Sequence, residues 1–361
     1  MRVAVDEQIF AIQPYGGISR LFAELTRQYM YDPELGVDLD PLQAPIVNRY
    51  ILDDPVLTNR LRVRGARNQW TALAWYFSHL ERRRADVVHT TFYLPHGLSS
   101  ARGTKRVVTV YDMIPERLPD TRRRLDLLTF KRRYVESADH VICISQATKD
   151  DLLELYGTLD APVTVVHLGV DSQFKPDAQR ISDFPEQYVL FVGHRGQYKD
   201  ASTAMRAFAA ISQDFPELHL VFVGGGGLVR EERAMLSQLG IAEVTHQYDL
   251  DDQAMPSAYA HAAAFAFPSR FEGFGLPVLE AMASGAPVVL ARATSLPEVG
   301  GDAARYFQQG NHQELAEQLS AIVGSPQEST RMSMAGINHA RGFTWRRTAQ
   351  RTSDVYRQVL S

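Results

Sequence analysis

The chain has 361 residues, too many for one ordinary core, which implies two domains of ~150 residues each. Its 45% hydrophobic and 22% charged residues, with a formal net charge of −4, place it among soluble globular proteins and call for no nucleic-acid partner. A single cysteine, Cys143, rules out an intramolecular disulfide, and no apolar run approaches the ~20 residues of a membrane span.

The start, MRVAVDEQIF, reads as a strand over Val3 to Val5 and lacks the apolar core of a signal peptide, so a cytoplasmic location is expected. Tyr15-Gly16-Gly17 follows, then an apolar-periodic helix from Ile18 to about Met30. The glycine pair suits either a close backbone approach to a ligand or a plain tight turn. From Tyr31 to Arg67, Pro33, Pro41, Pro45 and Pro55 interrupt the pattern and no element can be assigned. Trp70 to Arg84 reads as a helix. Strands rich in Val and Ile then recur at Asp86–Thr90, Arg106–Tyr111, His140–Ser145 and Val163–His167, separated by helices over Arg122–Ser137 and Gln146–Tyr156. Cys143 falls inside the apolar run HVICIS and is expected as a core thiol. Arg122, Arg123, Arg124, Lys131, Arg132 and Arg133 share the helix before it. They read as a solvated face or as a patch held against anionic lipid, the second reading implying peripheral contact with the inner face of the membrane.

Residues 171–186, with Pro176 and Pro185, break the rhythm and are expected as the linker between domains at 1–170 and 187–344. A second α/β cycle then runs through strands at Tyr188–Gly193, Leu218–Gly224, near Val244, Ala262–Phe267 and Pro287–Leu290. Helices are expected over Ala201–Asp214, Val229–Leu239, Gln253–His261 and Leu315–Val323, and a last one over residues 345–361 crosses back to the first domain. Near-continuous apolar strands alternating with helices mean parallel, doubly wound sheets. Two such domains would face a cleft at the carboxyl ends of their strands, where ligands of these sheets bind.

The most informative stretch is FPSRFEGFGLPVLEAMASG, Phe267 to Gly285. A buried strand meets a glycine loop and then a helix, with Pro277 suited to the first turn; the free amides there favour an anion. Glu280 is placed in that first turn, where an acid also suits the helix dipole, although a carboxylate is equally the acceptor for a ribose diol. Glu272, in the glycine loop, fits a hydroxyl-binding role. In GHRGQYK, Arg195 and Lys199 follow a strand and could clamp phosphate oxygens. The Gly224–Gly227 run lacks a complete phosphate fingerprint, and the eleven histidines are dispersed with no metal-ligand spacing. Ser145 has no nucleophile elbow and is expected to cap a helix.

At EGFGLPVLE the chain resembles the retaining nucleotide-sugar glycosyltransferases of family 4, with the two-domain, Rossmann-like GT-B fold. The Glu-x7-Glu signature is Glu272 and Glu280, and YGGISR, ADHVICISQATKDDL, VVHLGVDSQFKP, FVGHRGQYK and SLPEVGGDAARYF extend the likeness over nearly the whole chain. The resemblance implies that Glu272 contacts the donor sugar, that the amides of Gly273, Phe274, Gly275 and Leu276 hold sugar and diphosphate, and that Glu280 binds the ribose. It implies that Lys199 and an arginine grip the diphosphate. His194 stands where the family has that arginine, so Arg195 is assigned the task. The family's histidine near the reacting sugar is replaced by Tyr111, which leaves Asp112 as the nearest polar candidate. Gly16 and Gly17 would approach the phosphates from the N-terminal side.

The implied reaction is metal-independent transfer of a hexose, with a lean to mannose from GDP-mannose, to a saccharide or lipid-linked acceptor with retention, and needs no cofactor. An epimerase or phosphorylase of the same fold, and a non-catalytic carbohydrate- or nucleotide-binding relative, are the alternatives. Oligomeric state leaves no signal in the sequence.

Overall fold

The computed structural model describes residues 1–78, 85–95, 103–118 and 128–361. The chain divides into two compact units, Met1–Gly169 with Thr344–Ser361, and Val170–Phe343.

The first unit is built on a six-stranded sheet in the order β2-β1-β3-β4-β5-β6. Its strands are β1 (Arg2–Val5), β2 (Asp38–Leu39), β3 (Val87–Thr90), β4 (Lys105–Val110), β5 (His140–Cys143) and β6 (Val163–Val165), all paired in parallel. β3 and β5 are buried at every residue, which is why they read as continuous apolar runs rather than alternating ones. Cys143 is fully buried and burial pushes its thiol up to about 12. β2 comes from the stretch without an assignable pattern. Two residues cannot show a period, and β2 is defined by its partner, with Asp40 N donating to Val3 O at 2.9 Å just beyond it.

The last helix, Trp345–Leu360, belongs to this unit. Trp345, Thr348, Ala349, Thr352, Val355 and Tyr356 form its buried stripe at helical spacing. It lies along the helix Gly17–Tyr31, where Tyr29 donates its hydroxyl to Ala349 O at 3.2 Å. The Tyr356 hydroxyl lies 2.6 Å from Nδ1 of His89, whose Nε2 lies 2.7 Å from Thr109 Oγ1.

The second unit holds the sheet β12-β11-β10-β7-β8-β9, again wholly parallel. Its strands are β7 (Gln187–Val192), β8 (Leu218–Val223), β9 (Thr245–Tyr248), β10 (Ala264–Phe267), β11 (Val288–Ala291) and β12 (Arg305–Phe307). Phe191, Phe222, Phe265 and Phe267 fill its centre, each fully buried and contributing about 1.5–3 kcal/mol on transfer from water. Residues 171–186 are part of this unit rather than a free connector: Phe174 and Phe184 are buried, and Phe184 stacks on Tyr248 with centroids 4.3 Å apart. The helix Pro326–Ala340 and the strand β12 were not expected from the sequence. Among the described residues no helix is long and apolar enough to cross a membrane.

In both sheets the strand order reverses once, between β1 and β3 in the first and between β7 and β10 in the second. Crevices at such reversals, beyond the carboxyl ends of the strands, are where open α/β sheets bind ligands.

Candidate functional site

The loops after β7 and β10 meet across the reversal of the second sheet. The first ends in the 3-10 turn Gln197–Lys199, and Lys199 Nζ lies 2.5 Å from Glu272 Oε1. The side chains are only 15% and 10% exposed, so the pair is largely withdrawn from water, and the ammonium also lies 5.2 Å from the centre of the Phe267 ring. Two further links join the same loops. Arg270 N donates to Tyr198 O at 2.7 Å, and Arg270 Nε lies 3.3 Å from Asp200 Oδ2. Asp200 has a left-handed backbone, φ 51°, an uncommon state for a residue with a Cβ. Its carboxylate is fixed by the hydroxyls of Ser202 and Thr203, each at 2.9 Å.

The loop after β11 supports Glu272 from beneath. Glu272 N donates to Thr294 Oγ1 at 3.0 Å, and Ser295 Oγ reaches the carbonyls of Glu272 and Phe274 at 3.0 and 2.9 Å. Gly275 then turns the chain into the helix Leu276–Ala283 with φ 99°. That φ favours glycine, and a Cβ there would also crowd Leu296 Cδ2 at 3.0 Å. Pro277 sits at the helix start, where it has no N–H to satisfy; Val278 N donates to Gly275 O at 2.9 Å, and the positive end of the helix dipole still favours an anion there.

Glu280 is the fifth residue of this helix, and the first turn contains no acid, which corrects the expected position. The helix begins at Leu276, one residue before Pro277, and the dipole argument for an acid in the first turn therefore lapses. Glu280 Oε2 accepts a hydrogen bond from Tyr259 at 3.0 Å. Tyr259 is fully buried against Phe174 and Phe265, so the carboxylate is oriented by a hydroxyl held in the core.

Arg195 has a task the sequence did not suggest. Its Nε pairs with Glu232 at 2.9 Å, and its terminal nitrogens donate to the carbonyls of Gly224, Gly226 and Gly227 at 2.6, 2.7 and 3.1 Å. Gly224, Gly225 and Gly226 have φ of 80°, 77° and 70°, a left-handed run that turns these carbonyls toward the guanidinium. The side chain is 3% exposed and its charge is balanced by Glu232, so in this structure Arg195 closes the glycine loop instead of reaching out as a clamp. His194, next to it, is exposed.

The remaining candidates lie in the first unit. Gly17 opens the helix Gly17–Tyr31, and Gly16 O accepts from Arg20 N at 2.9 Å. Tyr111 is buried and donates to Thr91 O at 2.6 Å, and burial holds its hydroxyl well above the usual range. Asp112 Oδ1 accepts from Ile114 N at 3.0 Å at the entry to the short helix Ile114–Arg117, while its carbonyl accepts from Lys131. Lys131 is itself buried and paired with Glu116 at 3.1 Å, so it belongs neither to a solvated face nor to a lipid-facing patch. Arg122, Arg123 and Arg124 lie outside the described residues. Ser145 caps the helix Gln146–Tyr156 by accepting from Thr148 N at 3.0 Å.

Thr294, Ser295, Tyr259, Asp200 and Glu232 were not singled out from the sequence. Thr294 and Ser295 follow a strand, as the recognised loops do, and that position was the available signal. Nothing in the sequence marks Tyr259 as the partner of Glu280.

The family model described as "Glycosyl transferases group 1" matches residues 174–339, and that described as "Glycosyltransferase Family 4" matches residues 15–174. The chain is 29% identical over 296 residues to the MMP alpha-(1->4)-mannosyltransferase of Mycolicibacterium hassiacum, covering 76% of this chain and 71% of that protein. It is 31% identical over 309 residues to the D-inositol 3-phosphate glycosyltransferase of Kribbella flavida, covering 75% and 71%. The crystal structure of Anabaena Alr3699/HepE in complex with UDP-glucose is similar in fold, with a TM-score of 0.74 at 17% identity over 99% of this chain and 100% of that one.

Proposed function

The chain belongs to the GT-B glycosyltransferases of the group 1 and family 4 type, and from that premise we propose that it transfers a hexose from a nucleoside diphosphate sugar to a saccharide or lipid-linked saccharide acceptor with retention at the anomeric carbon. Mannose is the favoured hexose, supported by the mannosyltransferase among its relatives, and GDP-mannose is the donor to test first. The observation that carries the reading is the Lys199–Glu272 pair, set across the strand reversal beside the start of the helix Leu276–Ala283.

The pair has a use in the reaction. A diphosphate entering the helix start attracts Lys199 and repels Glu272, and the carboxylate, released from its partner, accepts hydrogen bonds from sugar hydroxyls. As the bond from the anomeric carbon to the phosphate oxygen breaks, negative charge grows on the diphosphate, and Lys199 with the amides of Gly273 to Leu276 neutralises it. The acceptor oxygen bonds to the same face of the carbon and its proton passes to the departing phosphate oxygen. Glu280, fixed by Tyr259, holds the ribose. Arg195 shapes the glycine loop, and Asp112 positions the turn that follows it.

A panel of nucleoside diphosphate sugars incubated with and without saccharide acceptors tests this. The expected result is acceptor-dependent release of nucleoside diphosphate and a product of unchanged anomeric configuration by NMR. Conversion of the donor to an epimer in the absence of acceptor would overturn it.

A further inference from the structure

A cavity of about 450 Å³ lies within the second unit, inside the ~300–1,000 Å³ range of small-ligand pockets. Gln187 opens β7, Glu217 directly precedes β8, and both line it. It therefore sits at the amino ends of these strands, whereas Lys199 and Glu272 lie in loops beyond the carboxyl ends of β7 and β10.

Four rings follow one another along its wall. Phe184 stacks on Tyr248 with centroids 4.3 Å apart and planes at 27°, Tyr248 lies 6.3 Å from His246 at 29°, and His246 lies 5.0 Å from His219 at 35°. The register produces this row: His219 shares a face of β8 with Val221, and Val221 pairs with His246, whose face Tyr248 shares. The Tyr248 hydroxyl ties the row to the preceding chain by donating to Asp183 O at 2.8 Å. His219 Nδ1 and His246 Nε2 lie 2.9 Å apart. Burial, with the neighbouring imidazole, lowers the pKa of His246, so this ring adds no positive charge at neutral pH.

The rest of the lining is acidic. Asp183, Glu186 and Glu217 are exposed, neither lysine nor arginine lines the cavity, and none of the three carboxylates forms an ion pair among the described residues. Arg180, close by, donates to Pro185 O at 2.7 Å. Ring faces and carboxylates in one cavity both attract positive charge, the first through the ring quadrupole and the second by direct Coulomb attraction. Among the described residues no three side chains could hold a metal ion together, so charges spaced along a ligand match these carboxylates better than a single point charge.

We propose that this cavity binds a small organic polycation of the polyamine class, its ammonium groups on Asp183, Glu186 and Glu217 and its methylene chain along the rings of Tyr248 and His246. The same carboxylates repel a nucleoside diphosphate, which keeps the site distinct from the proposed donor crevice. Binding is read without turnover, so the proposal stands or falls independently of the transfer reaction.

The test is calorimetric titration of the full chain with spermidine. Saturable binding of one ligand per chain is expected, and it weakens as salt is added. Glu186→Gln and Glu217→Gln should each weaken it roughly threefold and together roughly tenfold. Glu317→Gln, at an exposed acid on the helix His312–Val323, should leave it in place. Tyr248→Leu, titrated at a temperature where the variant is folded, should weaken it roughly fivefold. Heat that does not saturate, an equal loss in the Glu317 variant, or unchanged affinity in the double glutamine variant would overturn the proposal.

Discussion

The two units solve the same topological problem with different chemistry. In each, a parallel sheet reverses its strand order once and leaves a crevice at the carboxyl ends of two neighbouring strands. In the first unit that crevice is filled by the unit's own side chains. Asp6, just past β1, accepts from Thr91 N at 2.9 Å and from Gln8 Nε2 at 2.6 Å, while Leu94 N donates to Gln8 Oε1 and Tyr134 donates to Leu94 O at 2.7 Å. Asp6 is 7% exposed, and burial raises its carboxyl above the usual range. In the second unit the corresponding position holds Lys199 and Glu272, opposite charges that can exchange partners, in loops that lead into the helix Leu276–Ala283. A hydrogen-bonded cluster with its capacity used internally holds strands together. An ion pair at the start of a helix is free to serve the proposed donor.

Lys199→Met tests that contrast with the largest expected effect. It removes the cation proposed to neutralise the leaving group and strands Glu272, and should lower kcat/KM by roughly 10²–10³-fold with the fold intact by circular dichroism. Arg195→Ala should do the reverse, costing about 1–2 kcal/mol of stability in denaturant unfolding because the glycine loop and Glu232 lose the guanidinium that ties them together, while kcat/KM falls far less than in the lysine variant. An Arg195 variant as impaired in turnover as the Lys199 variant would return the clamp role to the arginine.

The first unit is probed through His89. Burial lowers its pKa from 6.5 to about 3, so the unfolded chain takes up a proton below 6.5 that the folded chain refuses. Stability from this residue is complete above pH 6.5 and is lost as pH falls, by about 2 kcal/mol between pH 6.5 and 5. His89→Gln should flatten the pH dependence of urea unfolding over that range, and an unaltered slope would remove His89 as its source.

What the sequence made legible was whatever is local. Strands buried on both faces announce themselves by composition, and EGFGLP carries its own turn and helix start. The Tyr31–Arg67 stretch was opaque because its pieces are short: β2 has two residues, and the helices Arg49–Leu52 and Pro55–Arg60 have four and six. Within the site, Glu272, Glu280 and Lys199 were readable as residue types after strands, and the meeting of Lys199 with Glu272 depends on β7 and β10 being neighbours, which follows from the topology. The partners of Arg195 in this structure, Glu232 and the glycine carbonyls, were not legible because they are brought to it by β7 and β8 pairing side by side. The support from Tyr259, Thr294 and Ser295 is equally non-local, and no periodicity encodes it.

Calorimetric titration of the wild type and of Glu280→Ala with nucleoside diphosphates, GDP first, tests most directly whether the second unit's crevice is the donor seat. Loss of the charge-assisted bonds to the ribose diol should weaken binding by roughly tenfold to a hundredfold at a temperature where the variant, which loses about 1–3 kcal/mol because the buried Tyr259 hydroxyl loses Glu280 as acceptor, is still folded. Affinity unchanged in the variant would contradict the account.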